Sequence, residues 1–352
     1  MRKILLTTTA LVALGGVSAA SALDISGFQR MGYHSWDDTG NEETAGANDT
    51  AISDYNRVVF THSVTGDSGL NASGYYRINN WTEAYHDLSL AGDFGTISLG
   101  NYTTAGGFMY NSHLYNGTFV DDNNNTGTFA GVGDSRFGAY AAIADGGDNS
   151  ITYTAPAMGG FTFMATYMDD GSAGATEQAL SSTSSEPDVA AVDASGADVM
   201  EYGLAYSSEI NGLGFRAHRI AAKADDTTGT AGDELDTQGF GLNLSSGPFE
   251  VRFTTSSRET NDTAGVATAD IEVNEYSATY KASDDLTVGI ITQSRKDKLD
   301  TTDNPKLDET IFGANYFIMP GLRVQASYVD FDYEGATNNS GSQTNVALRI
   351  DF

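Results

Sequence analysis

The chain has 352 residues and a formal charge of −29, from 47 acidic against 18 basic side chains. That balance excludes nucleic acid as a partner, since little is left to neutralise phosphates. The absence of cysteine excludes a disulfide scaffold, a thiolate zinc site and a cysteine nucleophile. Forty glycines, with 17 Phe, 18 Tyr and 2 Trp but only 5 prolines, suit an all-β protein better than an α/β enzyme or a disordered acidic chain.

Residues 1–22 read as a signal peptide, with Arg2 and Lys3 as the positive start and Ile4 to Val17 as the apolar segment. Ala20-Ser21-Ala22 supplies the small residues of a cleavage site, so export and cleavage after Ala22 are expected. No later stretch approaches the ~18 apolar residues of a spanning helix. From residue 23 apolar and polar residues alternate in runs of about ten, the period of strands. In order the strands are expected near 24–36, 51–64, 69–79, 83–91, 94–101, 150–155, 160–168 and 199–208. The second half adds 212–222, 236–246, 248–257, 271–281, 285–295, 309–317, 321–333 and 343–352, sixteen in all. Phe249-Glu250-Val251-Arg252-Phe253-Thr254 shows the pattern plainly, with Phe, Val, Phe on one face and Glu, Arg, Thr on the other.

The connections alternate between short and long. Short ones are turn-like, such as Gly92-Asp93, Gly247 and Pro320, whereas most long ones are polar and acidic: 37–50, 102–149, 169–198, 223–235, 258–270, 296–308 and 334–342. One end of the structure is therefore trimmed and the other decorated. A sandwich or propeller has no general reason to be built so; a 16-stranded antiparallel transmembrane β-barrel does, with residues 23–352 as one domain. Its apolar face would meet lipid and its polar face would line a wet lumen. Aromatics near strand ends (Tyr33, Trp36, Phe94, Tyr102, Phe161, Tyr167, Phe317, Phe352) would form the interfacial girdles.

Three segments carry a family resemblance: Leu23-Asp24-Ile25-Ser26-Gly27-Phe28 at the start, Phe94-Gly95-Thr96-Ile97-Ser98-Leu99-Gly100-Asn101, and the terminal Phe352. They resemble the general diffusion porins of Gram-negative bacteria, nearest to the Rhodobacter-like porins of alphaproteobacteria. The resemblance covers the whole mature chain, through pattern more than through invariant motifs. It implies the outer membrane as location, a homotrimer, and passive diffusion of small hydrophilic solutes and ions. It also implies a third loop folded into the lumen.

Sixteen tilted strands enclose a backbone cylinder roughly 30 Å across, too wide for side chains to fill. Something should constrict it, and the longest connection, 102–149, is assigned that role. Its Asp121 and Asp122, mid-loop, and Asp134 are expected to form an acidic side of the eyelet. With polar faces inward, Arg30, Arg57, Arg77, Arg323 and Arg349 would form a basic wall opposite, on strands that become neighbours on closure. Such opposed charge selects solutes by sign.

The acidic pairs Asp169-Asp170, Asp225-Asp226 and Asp233-Glu234 admit two readings. They could bind structural Ca²⁺ and bridge to lipopolysaccharide, or form a solvated repulsive surface. No cofactor is required, and no enzyme is expected: His34, His62, His86, His113 and His218 form no HExxH, and there is no G-x-S-x-G or P-loop. A substrate-specific channel, or a structural or adhesive outer-membrane barrel, stands as the alternative.

Overall fold

The computed structural model describes residues 23–38, 50–80, 82–101, 103–106, 150–168, 197–226, 234–261, 267–299, 306–334 and 339–352. They form sixteen strands: β1 Leu23–Asp38, β2 Thr50–Thr65, β3 Asn71–Asn79, β4 Thr82–Gly92, β5 Gly95–Gly100, β6 Ser150–Thr154, β7 Phe161–Met168 and β8 Ala197–Ile210. The chain continues through β9 Leu213–Asp226, β10 Glu234–Ser246, β11 Phe249–Asn261, β12 Ala267–Lys281, β13 Leu286–Asp297, β14 Lys306–Met319, β15 Leu322–Glu334 and β16 Asn339–Asp351. Each pairs antiparallel with its sequence neighbours, and β1 closes on β16 from Phe28↔Asp351 to Asp38↔Gly341. Closure leaves no edge strand, so the ladder satisfies the backbone without water, as a lipid-embedded sheet requires. The signal segment 1–22 lies outside the described residues.

The trimmed end is made by turns whose residues fit their geometry. Asn211-Gly212 joins β8 to β9 with both residues at positive φ (53° and 78°), the tight hairpin that Asn-Gly favours. Pro320-Gly321 joins β14 to β15 with Gly321 at φ 79°, where a side chain would be strained. The decorated end has one short member, Asn79 to Thr82, where Asn80 exchanges hydrogen bonds with Asn56 of β2.

All sixteen expected strands are present, but several run further toward the long connections: β11 reaches Asn261 and β12 begins at Ala267. The reason is visible in the side chains. Near the turn end the expected alternation holds: Leu23, Ile25, Met31 and Tyr33 point out and are exposed, whereas Phe28, Arg30 and His34 point in and are buried. Toward the loop end of β12, β14 and β15 it inverts. The inward, buried residues there are mostly apolar, Ile271, Val273, Leu307, Ile311, Val329 and Phe331, with the buried carboxylate of Glu309 among them accepting from Gln293. The outward ones are Asp270, Glu272, Asp308, Asp330, Asp332 and Glu334. The exchange occurs at a row of exposed aromatics, Tyr276, Phe312 and Tyr328, with Phe312 and Tyr328 direct cross-strand partners. Below that row the outside meets hydrocarbon; above it the outside meets water, so charge moves outward and apolar side chains turn in. The expectation that the polar face lines the lumen throughout is corrected on this point. Above the membrane the barrel is built like a soluble one, each buried Ile or Phe contributing about 1.5–3 kcal/mol.

Phe317 is a second correction. It points into the barrel, where the Arg323 guanidinium stands 5.3 Å from its ring, so it is no girdle residue. Phe94, Phe161 and Phe352 are exposed near the turn end, and Phe249 stacks on Tyr280 at 4.6 Å there. Just beyond β13, Lys298 ties Glu272 (2.7 Å) at the outer rim, a hydrogen bond that holds the lysine more basic than usual.

Candidate functional site

The wall facing the lumen on β15, β16, β1, β2 and β3 carries all five arginines singled out from the sequence. Register places three in one row, since Arg349 is the direct cross-strand partner of both Arg30 and Arg323. Arg57 lies opposite Phe28, and Arg77 opposite Val59 one strand further on. Like charges in direct register repel. Aromatic rings interleave them here: Arg349 stands 3.6 Å and Arg57 5.0 Å from the centroid of Phe28, while Arg30 and Arg57 are each 5.6 Å from that of Tyr55. A guanidinium over a ring face is favourable, by about 0.5–2 kcal/mol. Asp351 accepts from Arg349 (2.7 Å) and Arg323 (3.2 Å).

Arg57 and Arg77 are different. Both donate to Asn79 Oδ1, at 3.3 and 2.9 Å, and to the Tyr55 hydroxyl, at 3.2 and 3.4 Å. All these acceptors are neutral, and neither arginine pairs with a carboxylate among the described residues. Two full positive charges therefore face the lumen uncompensated by the wall.

A second basic group, missed in the sequence, lies on β9 and β11. In a sixteen-stranded ring β9 is eight strands from β1, so this group faces the first across the bore. Arg216 and Arg252 flank Asn243 of β10 in cross-strand register. Arg252 and Asn243 both donate to Glu250 Oε1, at 2.6 and 2.7 Å. Arg216 has no hydrogen bond or ion pair among the described residues. The Phe249–Thr254 alternation already put Arg252 on the polar face. In β9, by contrast, Arg216 and Arg219 occupy opposite faces, so period alone could not aim either.

The long connection after β5 turns off the wall at once. Gly100 has φ 148°, and a Cβ there would meet the His86 carbonyl oxygen at 2.1 Å. Asn101 then caps the neighbouring strand, its amide N donating to His86 O (2.9 Å) and its Oδ1 accepting from His86 N (2.7 Å). Ala105 is wholly buried in one apolar cluster with Met164, Ala205, Ile220, Ile271 and Val273 of the inner wall. Asp121, Asp122 and Asp134 lie outside the described residues.

Among the described residues the histidines do not converge, and His113 lies outside them. His34 pairs with Asn345 at 2.6 Å, His62 covers Gly74, and His218 covers Gly241. Of the acidic pairs, Asp225 and Glu234 are cross-strand partners at the ends of β9 and β10, while Asp169, Asp170 and Asp233 lie outside the described residues. Among the described residues no three acidic or histidine side chains are grouped to hold a metal ion.

The family model for Gram-negative porins matches residues 7–337, nearly the whole chain. The chain belongs to the Gram-negative porin family. The porin's fold is shared by solved outer-membrane proteins at low identity. OmpT expressed in the outer membrane of Vibrio cholerae superposes with a TM-score of 0.65 at 16% identity, covering 96% of this chain and 99% of that one. The anion-selective porin from Comamonas acidovorans gives 0.62 at 15%, covering 94% and 100%. A mutant of the Rh. blastica porin gives 0.54 at 16%, again covering 94% and 100%. No curated protein sequence matches the chain significantly. As a member of this family the porin is an outer-membrane protein that forms a water-filled channel for passive diffusion of small hydrophilic solutes and ions.

Proposed function

We propose that the arginine wall gives this channel its charge preference, drawing anions to its narrow part. The observation that carries this is the pair Arg57 and Arg77, held in place by Asn79 and Tyr55 with only neutral partners among the described residues. A fixed charge between low-dielectric walls focuses its field into the bore and raises the local concentration of counter-ions. Arg216, across the bore, adds a further charge that no carboxylate pairs with among the described residues.

The test is the reversal potential of single channels in a salt gradient. Replacing Arg57 and Arg77 together by Gln should lower the anion-to-cation permeability ratio by up to about tenfold, the low end of what focused charge achieves. An unchanged reversal potential would sink the assignment. Charge reversal at Asp121 and Asp122, with Asp134 as a third site, should move the same quantity the opposite way if the loop acids face this wall.

Assembly as a homotrimer is part of the reading, supported by a trimer form of Vibrio cholerae OmpT. So is the absence of enzymatic chemistry, supported by histidines that point to separate partners on separate strands. The outward carboxylates above the aromatic row would meet lipopolysaccharide headgroups, with Ca²⁺ as the bridging ion. Chelation that lowers the heat stability of the folded band would support that contact, and an unchanged band would remove it.

A further inference from the structure

On the wall formed by β9 to β12, polar groups converge that the protein itself leaves unmatched. Arg216 of β9, Asn243 of β10 and Arg252 of β11 share one inward row, and Ser277 of β12 is the direct partner of Arg252. Each arginine is the fourth residue of its strand from the turn end. The backbones that carry them are two strands, or about 10 Å, apart. Their guanidinium groups lie within electrostatic reach of one another and of His218, the next inward residue of β9.

The unmatched atoms include donors and acceptors. Arg216 makes no hydrogen bond or ion pair among the described residues. Arg252 Nη1, Asn243 Oδ1 and the Ser277 hydroxyl are buried without a partner. Both ring nitrogens of His218 are too, and that side chain, seated over Gly241, is only 4% exposed. Glu250 uses Oε1 alone, which accepts from Arg252 and Asn243, so its Oε2 stays open. Buried polar atoms in folded proteins otherwise find partners. Five such orphans on four neighbouring side chains therefore point to a ligand that completes them.

The mixture of partners defines that ligand. Two guanidinium groups facing one space call for an oxyanion, which their N–H groups grip more strongly than any neutral acceptor. Acceptors beside them call for a hydrogen on the same ion. Two carboxylates also flank Arg252, Glu250 one rung toward the turn and Glu275 one rung toward the long connections. Sulfate and chloride carry no hydrogen at neutral pH and meet these acceptors with repulsion. Hydrogen phosphate offers both oxygens to the arginines and an O–H to the acceptors.

We propose that this row is a binding site for an oxyanion that carries its own hydroxyl hydrogen, with hydrogen phosphate as the smallest case. Arg216 and Arg252 hold its oxygens, and Asn243 and Glu250 accept its hydrogen. The inference rests on the reading of the porin as a diffusion channel. It goes beyond the charge preference of Arg57 and Arg77, because a field sorts ions by sign whereas this row sorts anions by their protons.

The test uses the full-length porin, folded in detergent and inserted into planar bilayers at neutral pH in a chloride background. Added phosphate should reduce the single-channel current in a saturable way. Sulfate at equal ionic strength should block at least about tenfold more weakly, the size of one charge-assisted hydrogen bond. Arg216→Gln should weaken the phosphate block by about the same factor. Glu250→Gln removes a carboxylate that excludes bare anions, so sulfate should then approach phosphate in strength. That is a gain, which neither misfolding nor a merely structural role produces.

The wild-type comparison needs no variant. Phosphate and sulfate acting alike, or a current that falls with phosphate without saturating, would overturn the proposal. Block that survives Arg216→Gln but vanishes with Arg57→Gln and Arg77→Gln would place the site on the opposite wall, and would overturn it too. A wild-type protein that fails to conduct would sink the channel reading instead. Calorimetric titration of phosphate and of sulfate into the folded protein then decides the site by the same contrast.

Discussion

At the scale of single residues, the arginine wall shows how a sheet tolerates a concentration of like charge. Arg30, Arg349 and Arg323 occupy one cross-strand row, and Phe28, Tyr55 and Asp351 are placed between and beneath them. The alternation in the sequence was enough to aim these side chains inward. It could not show that three of them share a row, because that depends on the register between β1 and β16, which are joined by no turn. Glycine gives a sharper residue-scale test. Gly100→Ala adds a Cβ 2.1 Å from a carbonyl oxygen, on a backbone at φ 148°. It should cost at least about 2–3 kcal/mol, the scale of a strained backbone in a non-glycine residue. Gly212→Ala, in an open turn with nothing within 4 Å of the new atom, should cost only about 1–2 kcal/mol. Urea unfolding of the two variants in parallel checks the contrast; equal losses would show that the β5 exit is not a special site.

At the scale of elements, the informative feature is the exchange of faces along β12, β14 and β15. The aromatic row of Tyr276, Phe312 and Tyr328 marks the level at which the outer solvent changes from lipid to water. Period-2 patterning detects a strand wherever one side is apolar, but it cannot say which side is in. Strand tails beyond that level are therefore harder to place, and β12 and β14 begin at Ala267 and Lys306, ahead of the expected 271 and 309, whereas β15 ends within one residue of its expected end although Asp330-Phe331-Asp332-Tyr333-Glu334 carries its apolar residues on the opposite face to Tyr328. The depth dependence yields a prediction. Leu348→Arg, on the outward face of β16 midway between the two girdles, should destabilise the barrel in vesicles by about 2–4 kcal/mol. Asp332→Arg, above the aromatic row, should change stability by less than about 1 kcal/mol. Equal effects, read from equilibrium unfolding, would misplace the membrane boundary.

At the scale of the whole molecule, closure of β1 on β16 turns separate strands into a bore with two facing charged walls. Arg57 and Arg77 stand on one side and Arg216 and Arg252 on the other, because β1 and β9 are half a turn apart. If three such barrels assemble, planar bilayers should show conductance in closely spaced triplets from one insertion. Single isolated steps from folded protein would mean that the barrels conduct as monomers.

The sequence by itself determined the number of strands, their antiparallel order, the trimmed and decorated ends, and the inward aim of five arginines. All of these follow from local period and turn chemistry, which act over a few residues. The tertiary structure alone decided the rest. It set which arginines share a row and how they face Arg216 across the bore, and it brought Arg216, Asn243 and Arg252 into one inward row. These depend on register, closure and the solvent outside each level of the wall, and such quantities exist only once strands far apart in the chain are side by side.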